Sequence, residues 1–169
     1  MTLRSLLAAV ALFIGVCIAP AHAAVEVADV RFDDSVKLGT QTLVLNGAGL
    51  RTRFFFKVYA MGLYLPRRAD TVSAIQAEAG GQRLRIVTLR DLGADQFIEA
   101  MIEGLKKNHS AEDLAAIQPS IDAFRAAMLA VKQAPKGTEV LIDWIPGSGT
   151  RLTVDGAQRG DDIPDERFY

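Results

Sequence analysis

Residues 50–65 constrain the fold more than any other part of the chain. The segment reads LRTRFFFKVYAMGLYL, contains no proline and is rich in aromatic and branched side chains. This composition predicts one long β-strand. Apolar residues fall on both faces of that strand, which is typical of a central strand covered on both sides. Gly62 indicates a bulge or a close approach of another group to the backbone.

Periodicity and turn residues predict the remaining elements. Alternating apolar positions predict strands at residues 25–32, 42–45, 83–88, 138–145 and 150–154. Residues 46–49 contain two glycines and are expected to end the second of these strands. Asp70 is the expected cap of a helix at residues 70–79. An amphipathic pattern predicts a second helix at residues 94–107. A third helical stretch is expected from Ser110 onward, with an interruption at Pro119. Strands cluster at the two ends with helices between them, so we expect one α+β domain with an antiparallel sheet covered by helices.

The N-terminus has the pattern of a cleavable secretory signal peptide. An apolar run follows the single positive charge of Arg4, and small residues precede an expected cleavage site between Ala23 and Ala24. The apolar run is shorter than the roughly 20 residues that a spanning helix needs, which disfavours a retained anchor. A lipoprotein anchor on Cys17 is disfavoured because bulky Val16 precedes it. We therefore expect residues 24–169 to be periplasmic or secreted, without a stable membrane anchor.

Composition excludes several kinds of chemistry. The only cysteine is Cys17, and one of the two histidines also lies in the leader, so the mature chain lacks disulfides, thiolate nucleophiles and the usual zinc sites. His109 is interpreted as a solvated residue at a helix end. No Gly-x-Ser-x-Gly motif supplies a nucleophile for a catalytic triad. We expect no metal and no cofactor. The net charge of −1 gives no general reason to expect nucleic acid or an anionic membrane as partner.

One group of polar residues within the aromatic segment remains a candidate site. Arg51, Arg53, Lys57 and Tyr59 would share one face of a single strand, because their positions are all odd. A guanidinium can bind a carboxylate through two hydrogen bonds, and a tyrosine hydroxyl can add a third. The pattern is therefore consistent with a head-group site for an apolar acid. The alternative is that the cations lie at the strand ends and extend into water.

The same region resembles the signature of the chalcone isomerase-like family. In that signature a Gly-x-Gly-x-Arg turn leads into a strand of the form F-x-K-x-x-x-x-G-x-Y-x, and the matching residues here are Gly47, Gly49, Arg51, Phe55, Lys57, Gly62 and Tyr64. The resemblance continues weakly through the helix around Phe97 and the strand entry at residues 135–137. It implies an open-faced β-sandwich, in which a large antiparallel sheet is backed by helices and a cleft lies between them.

The family comprises enzymes that cyclise chalcones and non-catalytic members that bind fatty acids. The resemblance places its arginine at Arg51. Tyr59 stands where the enzymes have a threonine, and residues 89–96 lack the tyrosine that the enzymes use before the amphipathic helix. An Arg–Tyr pair is similar to the carboxylate clamp of the fatty-acid-binding members. The leading hypothesis is therefore a binding protein for an apolar carboxylate, through Arg51 and Tyr59. The alternatives are an isomerase or intramolecular lyase with the same two residues as catalytic groups, and a structural or accessory module.

The C-terminus carries a helix-start pattern without a helix body. Asp161, Asp162 and Pro164 precede two carboxylates, and the chain stops shortly afterwards at Tyr169. This start signal favours a truncated end. The resemblance to the family likewise implies a final helix that lines the cleft. The alternative is a frayed aromatic tail.

Overall fold

Antiparallel β-strands form the framework of residues 24–169. The computed structural model describes residues 24–169, so the predicted leader lies outside the described residues. The described strands are β1 (Val25–Val27), β2 (Val30–Phe32), β3 (Ser35–Leu38), β4 (Gln41–Arg53), β5 (Phe56–Leu65), β6 (Gln82–Thr88), β7 (Leu92–Gly93), β8 (Gln133–Ala134), β9 (Glu139–Ile145), β10 (Gly149–Val154) and β11 (Ala157–Gln158). Seven of them form the main sheet, in the order β11-β10-β9-β6-β5-β4-β3. Each described pair in this sheet is antiparallel.

Helices cover one face of the main sheet. They are α1 (Val72–Gln76), α2 (Ala94–Asn108), α3 (Ala111–Ala116) and α4 (Gln118–Leu129), followed by a one-turn 3-10 helix, Glu166–Phe168. The apolar stripe of α2 packs with α4 against the sheet through Phe97, Ile98 and Phe124. This arrangement confirms the predicted α+β class with a large antiparallel sheet backed by helices. Within residues 24–169, no helix combines the length and apolar character needed to cross a bilayer.

The opposite face of the sheet is covered by the β1–β2 hairpin. Phe32 of β2 is fully buried there against Leu43, Ala60 and Tyr64. Strand β5 lies between β4 and β6, and its residues contribute to the cores on both faces. The prediction of a central strand covered on both sides is therefore confirmed. The predicted close approach at Gly62 is confirmed as well, because a Cβ added there would lie 2.7 Å from Cδ1 of Phe32.

Residues 50–65 do not form a single strand, so that prediction is wrong. Strand β4 continues through residues 46–49 and ends at Arg53, and the chain turns at Phe54 and Phe55 into β5. The predicted turn at residues 46–49 is instead a bulge beside Leu45. The bulge is stabilised from the segment after β5, where Arg68 Nε donates to the Leu45 carbonyl oxygen at 3.1 Å. Residues 46–49 therefore shift the register of β4 without ending the strand.

Three further boundaries differ from the sequence prediction. Residues 25–32 form two short strands, β1 and β2, because Ala28 and Asp29 adopt positive φ angles of 51° and 65° and build a tight turn. Strand β3 was not predicted. Helix α1 begins at Val72, and Thr71, not Asp70, caps it by accepting a hydrogen bond from the Ala74 amide.

The later elements agree with the sequence prediction. The Ser110 hydroxyl and the Asp113 carboxylate form reciprocal caps at the start of α3. Pro119 lies in the first turn of α4, where its missing N–H leaves no helical hydrogen bond unmade. Residues 146–148 connect β9 to β10 as a hairpin, with the Ser148 amide donating to the Ile145 carbonyl oxygen at 2.9 Å.

The C-terminal residues are packed, so the alternative of a frayed tail is wrong. Phe168 is buried against Phe124, with ring centroids 5.7 Å apart. Tyr169 lies 6.3 Å from the ring of Trp144. Asp165 caps the 3-10 helix by accepting from the Arg167 amide. That a further helix follows this turn stays a prediction.

Candidate functional site

The register of the β4–β5 hairpin places Arg51 beside Tyr59. The two residues are direct partners across these antiparallel strands. Directly opposed residues point to the same face of a sheet, so both side chains lie on the face that the helices cover. The next pair joins Thr52 to Lys57, so Val58 has no cross-strand partner on β4. Val58 and Tyr59 consequently both enter the helix-side core.

Arg51 and Tyr59 are in direct electrostatic contact. The guanidinium carbon of Arg51 lies 5.8 Å from the centroid of the Tyr59 ring, and the ring packs 6.2 Å from that of Phe97. Burial raises the pKa of Tyr59, whereas the charge of Arg51 and its hydrogen bond to the phenol lower that pKa by less. The phenol therefore stays protonated at neutral pH. Because an arginine only donates, the phenol hydrogen remains available to a ligand.

The pair forms part of the wall of a cavity of about 280 Å³ at one end of the sheet. This end cavity lies between the tip of the β4–β5 hairpin and the first turns of α2. Its lining combines apolar side chains with a few cations and one amide: Arg51, Arg53, Phe54, Phe56, Val58, Tyr59, Arg90, Leu92, Gln96, Phe97 and Ala100. Such a mixture of an apolar wall and a few polar groups is typical of small-molecule sites.

The cations at the end cavity differ from those elsewhere on the sheet. Arg83 binds Asp143 through two hydrogen bonds of 2.6 and 2.7 Å, and Arg85 and Arg151 also have carboxylate partners. Within residues 24–169, no carboxylate lies within ion-pair distance of Arg51, Arg53 or Arg90. The end cavity therefore holds positive charge that an anionic ligand could neutralise.

A second, larger cavity of about 600 Å³ lies further along the same cleft, and the sequence did not reveal it. Strand β5 and helix α2 contribute to both cavities, and Leu63 of β5 and Met101 of α2 line the larger one. Leu63 is four residues beyond Tyr59, which places it about 13 Å along the strand. The C-terminal Phe168 and Tyr169 close part of its wall, together with Trp144. This central cavity is predominantly apolar.

The other predicted site residues have separate locations. Arg53 is exposed at the mouth of the end cavity. Lys57 is exposed and does not line the cavity, because the unpaired Val58 interrupts the alternation that was expected to align it with Tyr59. The expectation that all four polar residues share one face is therefore wrong for Lys57. His109 is the C-cap residue of α2, exposed at the rim of the central cavity, in agreement with its interpretation as a solvated residue. No group of three or more His, Cys, Asp or Glu side chains converges within residues 24–169.

Four residues that line the end cavity were not predicted as site residues: Phe54, Phe56, Arg90 and Gln96. Arg90 follows β6, and its guanidinium carbon lies 5.4 Å from the centroid of the Phe56 ring. Arg90 therefore reaches the end cavity only when the β4–β5 hairpin is folded. Gln96 reaches the cavity from the first turn of α2. No local motif marks either residue, because both come from chain segments distant from Arg51 in sequence.

Comparison with known proteins gives a family and a fold. The sequence profile of the chalcone isomerase-like family matches residues 24–169. Among solved structures, a fatty-acid binding protein of Arabidopsis thaliana superposes with a TM-score of 0.61 at 16% sequence identity, covering 86% of this chain and 84% of that protein. At this identity the likeness shows the fold, which confirms the predicted architecture. A search of curated proteins found no match.

Proposed function

The chain belongs to the chalcone isomerase-like family, and we propose that it is a binding protein for a small apolar carboxylate such as a fatty acid. The observation that carries this proposal is the Arg51–Tyr59 pair at the end of an apolar cleft. It combines a protonated phenol with an arginine that has no carboxylate partner within residues 24–169. The structural neighbour from Arabidopsis thaliana, a fatty-acid binding protein, supports the same class of ligand.

The ligand carboxylate binds at Arg51 in this proposal. Two guanidinium N–H groups donate to the two carboxylate oxygens, and the Tyr59 hydroxyl donates a third hydrogen bond. The raised pKa of Tyr59 supports this role, because a phenolate would repel the ligand. Arg53 and Arg90 at the cavity mouth add positive potential that attracts the acid during entry.

The apolar part of the ligand extends along the helix-covered face of β5. The end cavity, at about 280 Å³, is slightly smaller than the roughly 300–1,000 Å³ of typical ligand pockets, whereas the central cavity, at about 600 Å³, falls within that range. Half-buried Met61 lies between Tyr59 and Leu63 along the strand. Methionine side chains adapt readily to irregular spaces, so Met61 can move aside for an acyl chain that joins the two cavities.

A periplasmic or secreted location is part of the proposal. The predicted leader at residues 1–23 and cleavage between Ala23 and Ala24 support it. In such a compartment a carrier would shield the apolar chain of an acid from water.

An isomerase of the chalcone type is the alternative, and the site supports it less well. Tyr59 is the only tyrosine among the described residues that line the end cavity. The segment before α2 contributes the apolar side chain of Leu92 to the cavity wall, and residues 89–96 lack the tyrosine that the family's enzymes use before this helix. Conversion of a chalcone to a flavanone, lost in Arg51→Ala, would establish the enzymatic alternative.

Mass spectrometry of ligands extracted from the purified protein tests the binding proposal. We expect apolar carboxylic acids to co-purify with the wild-type protein and to be depleted in Arg51→Ala. Arg125→Ala is the matched control, because Arg125 is exposed on α4 and lines neither cavity. A wild-type protein that carries no apolar acid, and whose affinity for added fatty acid is the same in Arg51→Ala, would contradict the proposal.

A further inference from the structure

The end of the β4–β5 hairpin exposes three consecutive phenylalanines. Phe54, Phe55 and Phe56 have 85%, 99% and 61% of their surface accessible to solvent, and we call them the hairpin tip. Aromatic side chains of this size are usually buried, and contiguous exposed apolar groups on a soluble protein mark an interaction surface. The nearly complete exposure of Phe55 shows that no described residue packs over its ring.

The backbone of the hairpin tip is unfavourable for its residues. Phe54 adopts a φ angle of 55°, in the left-handed region that favours glycine, asparagine and aspartate. Tight hairpin turns usually employ those residues for this reason. The chain thus places an aromatic residue at a position where it costs stability and contributes little packing, which is consistent with a functional role for the ring outside the fold.

Cations surround the hairpin tip. Arg53 and Lys57 flank it in sequence and are exposed, and the guanidinium carbon of Arg90 lies 5.4 Å from the Phe56 ring. Within residues 24–169, none of these three cations has a carboxylate within ion-pair distance. The near-neutral net charge of the whole chain therefore conceals a local positive charge at the tip.

We propose that the hairpin tip docks on an anionic lipid bilayer. The three rings insert at the headgroup boundary, where aromatic side chains are favoured, while Arg53, Lys57 and Arg90 bind lipid phosphates. A bilayer fits better than a protein partner because the apolar surface is a projecting turn ringed by cations. An anionic lipid surface complements both features.

Docking in this way would orient the end cavity toward the membrane. Phe54, Phe56, Arg53 and Arg90 belong both to the tip region and to the lining of that cavity. A ligand that partitions into the bilayer could then pass between the membrane and the cleft without crossing water. Membrane docking itself does not depend on the nature of the ligand, so the two proposals can fail separately.

Vesicle co-sedimentation tests membrane docking. The protein is purified without residues 1–23, because residues 24–169 contain every strand, helix and core contact described above. We expect it to sediment with vesicles of phosphatidylcholine and phosphatidylglycerol, and much less with phosphatidylcholine alone. Phe54→Ser/Phe55→Ser should weaken partitioning by about tenfold or more, because it removes most of the inserted apolar surface. Arg53→Gln/Lys57→Gln should weaken binding to the anionic vesicles and reduce its salt dependence.

A matched control shows whether vesicle binding requires the hairpin tip or any exposed apolar side chain. Val72→Ser/Leu129→Ser removes two other exposed apolar residues, and this variant should bind as the wild type does. In a second measurement, Phe55→Trp should show a blue shift of fluorescence with anionic vesicles that Val72→Trp lacks. Absence of wild-type binding to anionic vesicles, or equal binding by Phe54→Ser/Phe55→Ser, would overturn the proposal. A dimer that Phe54→Ser/Phe55→Ser dissociates, without vesicle binding by the wild type, would also overturn it and identify a second copy as the occupant.

Discussion

Arg51 and Tyr59 are cross-strand partners in an antiparallel hairpin, and the guanidinium carbon lies 5.8 Å from the centroid of the phenol ring. This geometry holds a cation against an aromatic ring in a partly desolvated site, where a cation–π contact is favourable. The pair is fixed by backbone hydrogen bonds of the sheet and not by a flexible loop. An anionic ligand would therefore find the two donor groups already positioned, which reduces the entropic cost of binding.

Alkaline titration should show abnormally weak ionisation of the tyrosines. Burial raises the pKa of Tyr59, Tyr64 and Tyr169 above the ordinary value of 10.0. Because the folded pKa exceeds the unfolded one, these groups contribute stability that is fully present below pH 10 and lost as the pH rises above it. We expect tyrosinate absorbance to appear together with unfolding, and Tyr169→Phe to reduce the alkaline loss of stability. Half of the full tyrosinate absorbance at pH 10 in the folded protein, as for tyrosines with the ordinary pKa, would contradict this assignment.

Removal of one partner from the Arg83–Asp143 pair should be strongly destabilising. The side chains of Arg83 and Asp143 are only 16% and 4% exposed, and Asp143→Asn leaves the buried guanidinium without its counter-ion. We expect a loss of about 3–5 kcal/mol in the free energy of unfolding, measured by urea denaturation. Glu103→Gln is the control, since it removes the exposed partner of Lys107 and should leave the midpoint nearly unchanged. Equal urea midpoints for Asp143→Asn and Glu103→Gln would contradict the claim that burial makes the Arg83–Asp143 pair more important for stability.

Gly62→Ala should destabilise the packing between β5 and the β1–β2 hairpin. The new methyl group would lie 2.7 Å from Cδ1 of Phe32 and 3.3 Å from Cδ1 of Leu45, both of which are buried. Overpacking of this kind costs about 1–3 kcal/mol in the free energy of unfolding. Gly47→Ala is the matched control, because nothing lies within 4 Å of its added Cβ. If thermal melts gave the two variants the same stability, close packing at Gly62 would not be the reason for the glycine.

Elements with complete local signals were predictable from the sequence. The stripe from Phe97 to Leu105 defines α2, because its period matches a helix that buries one face. Ser110 and Asp113 carry their own capping box, and Pro119 marks the first turn of the next helix. In each case the determinant lies within a few residues of the element that it specifies.

The hairpin turn at Phe54 and Phe55 could not be predicted in this way. Phenylalanine favours strands, and no glycine, proline, asparagine or aspartate marks the turn. The expectation that Arg51 and Tyr59 share a face was correct, but the single-strand reason for it was wrong. They meet because the hairpin register opposes them. The central cavity was also unpredictable, since Leu63, Met101 and Phe168 come from distant parts of the chain.

Calorimetric titration with a fatty acid and with its methyl ester tests the central claim most directly. The ester keeps the apolar chain and removes the negative charge, so it separates the head-group contact from burial of the chain. We predict that Arg51→Ala weakens binding of the acid by about tenfold to a hundredfold, as expected for the loss of a charge-assisted hydrogen bond worth about 1.5–3 kcal/mol. Binding of the ester should change little, and Arg125→Ala should bind both ligands as the wild type does. Equal affinity of the wild-type protein and Arg51→Ala for the acid would contradict the account.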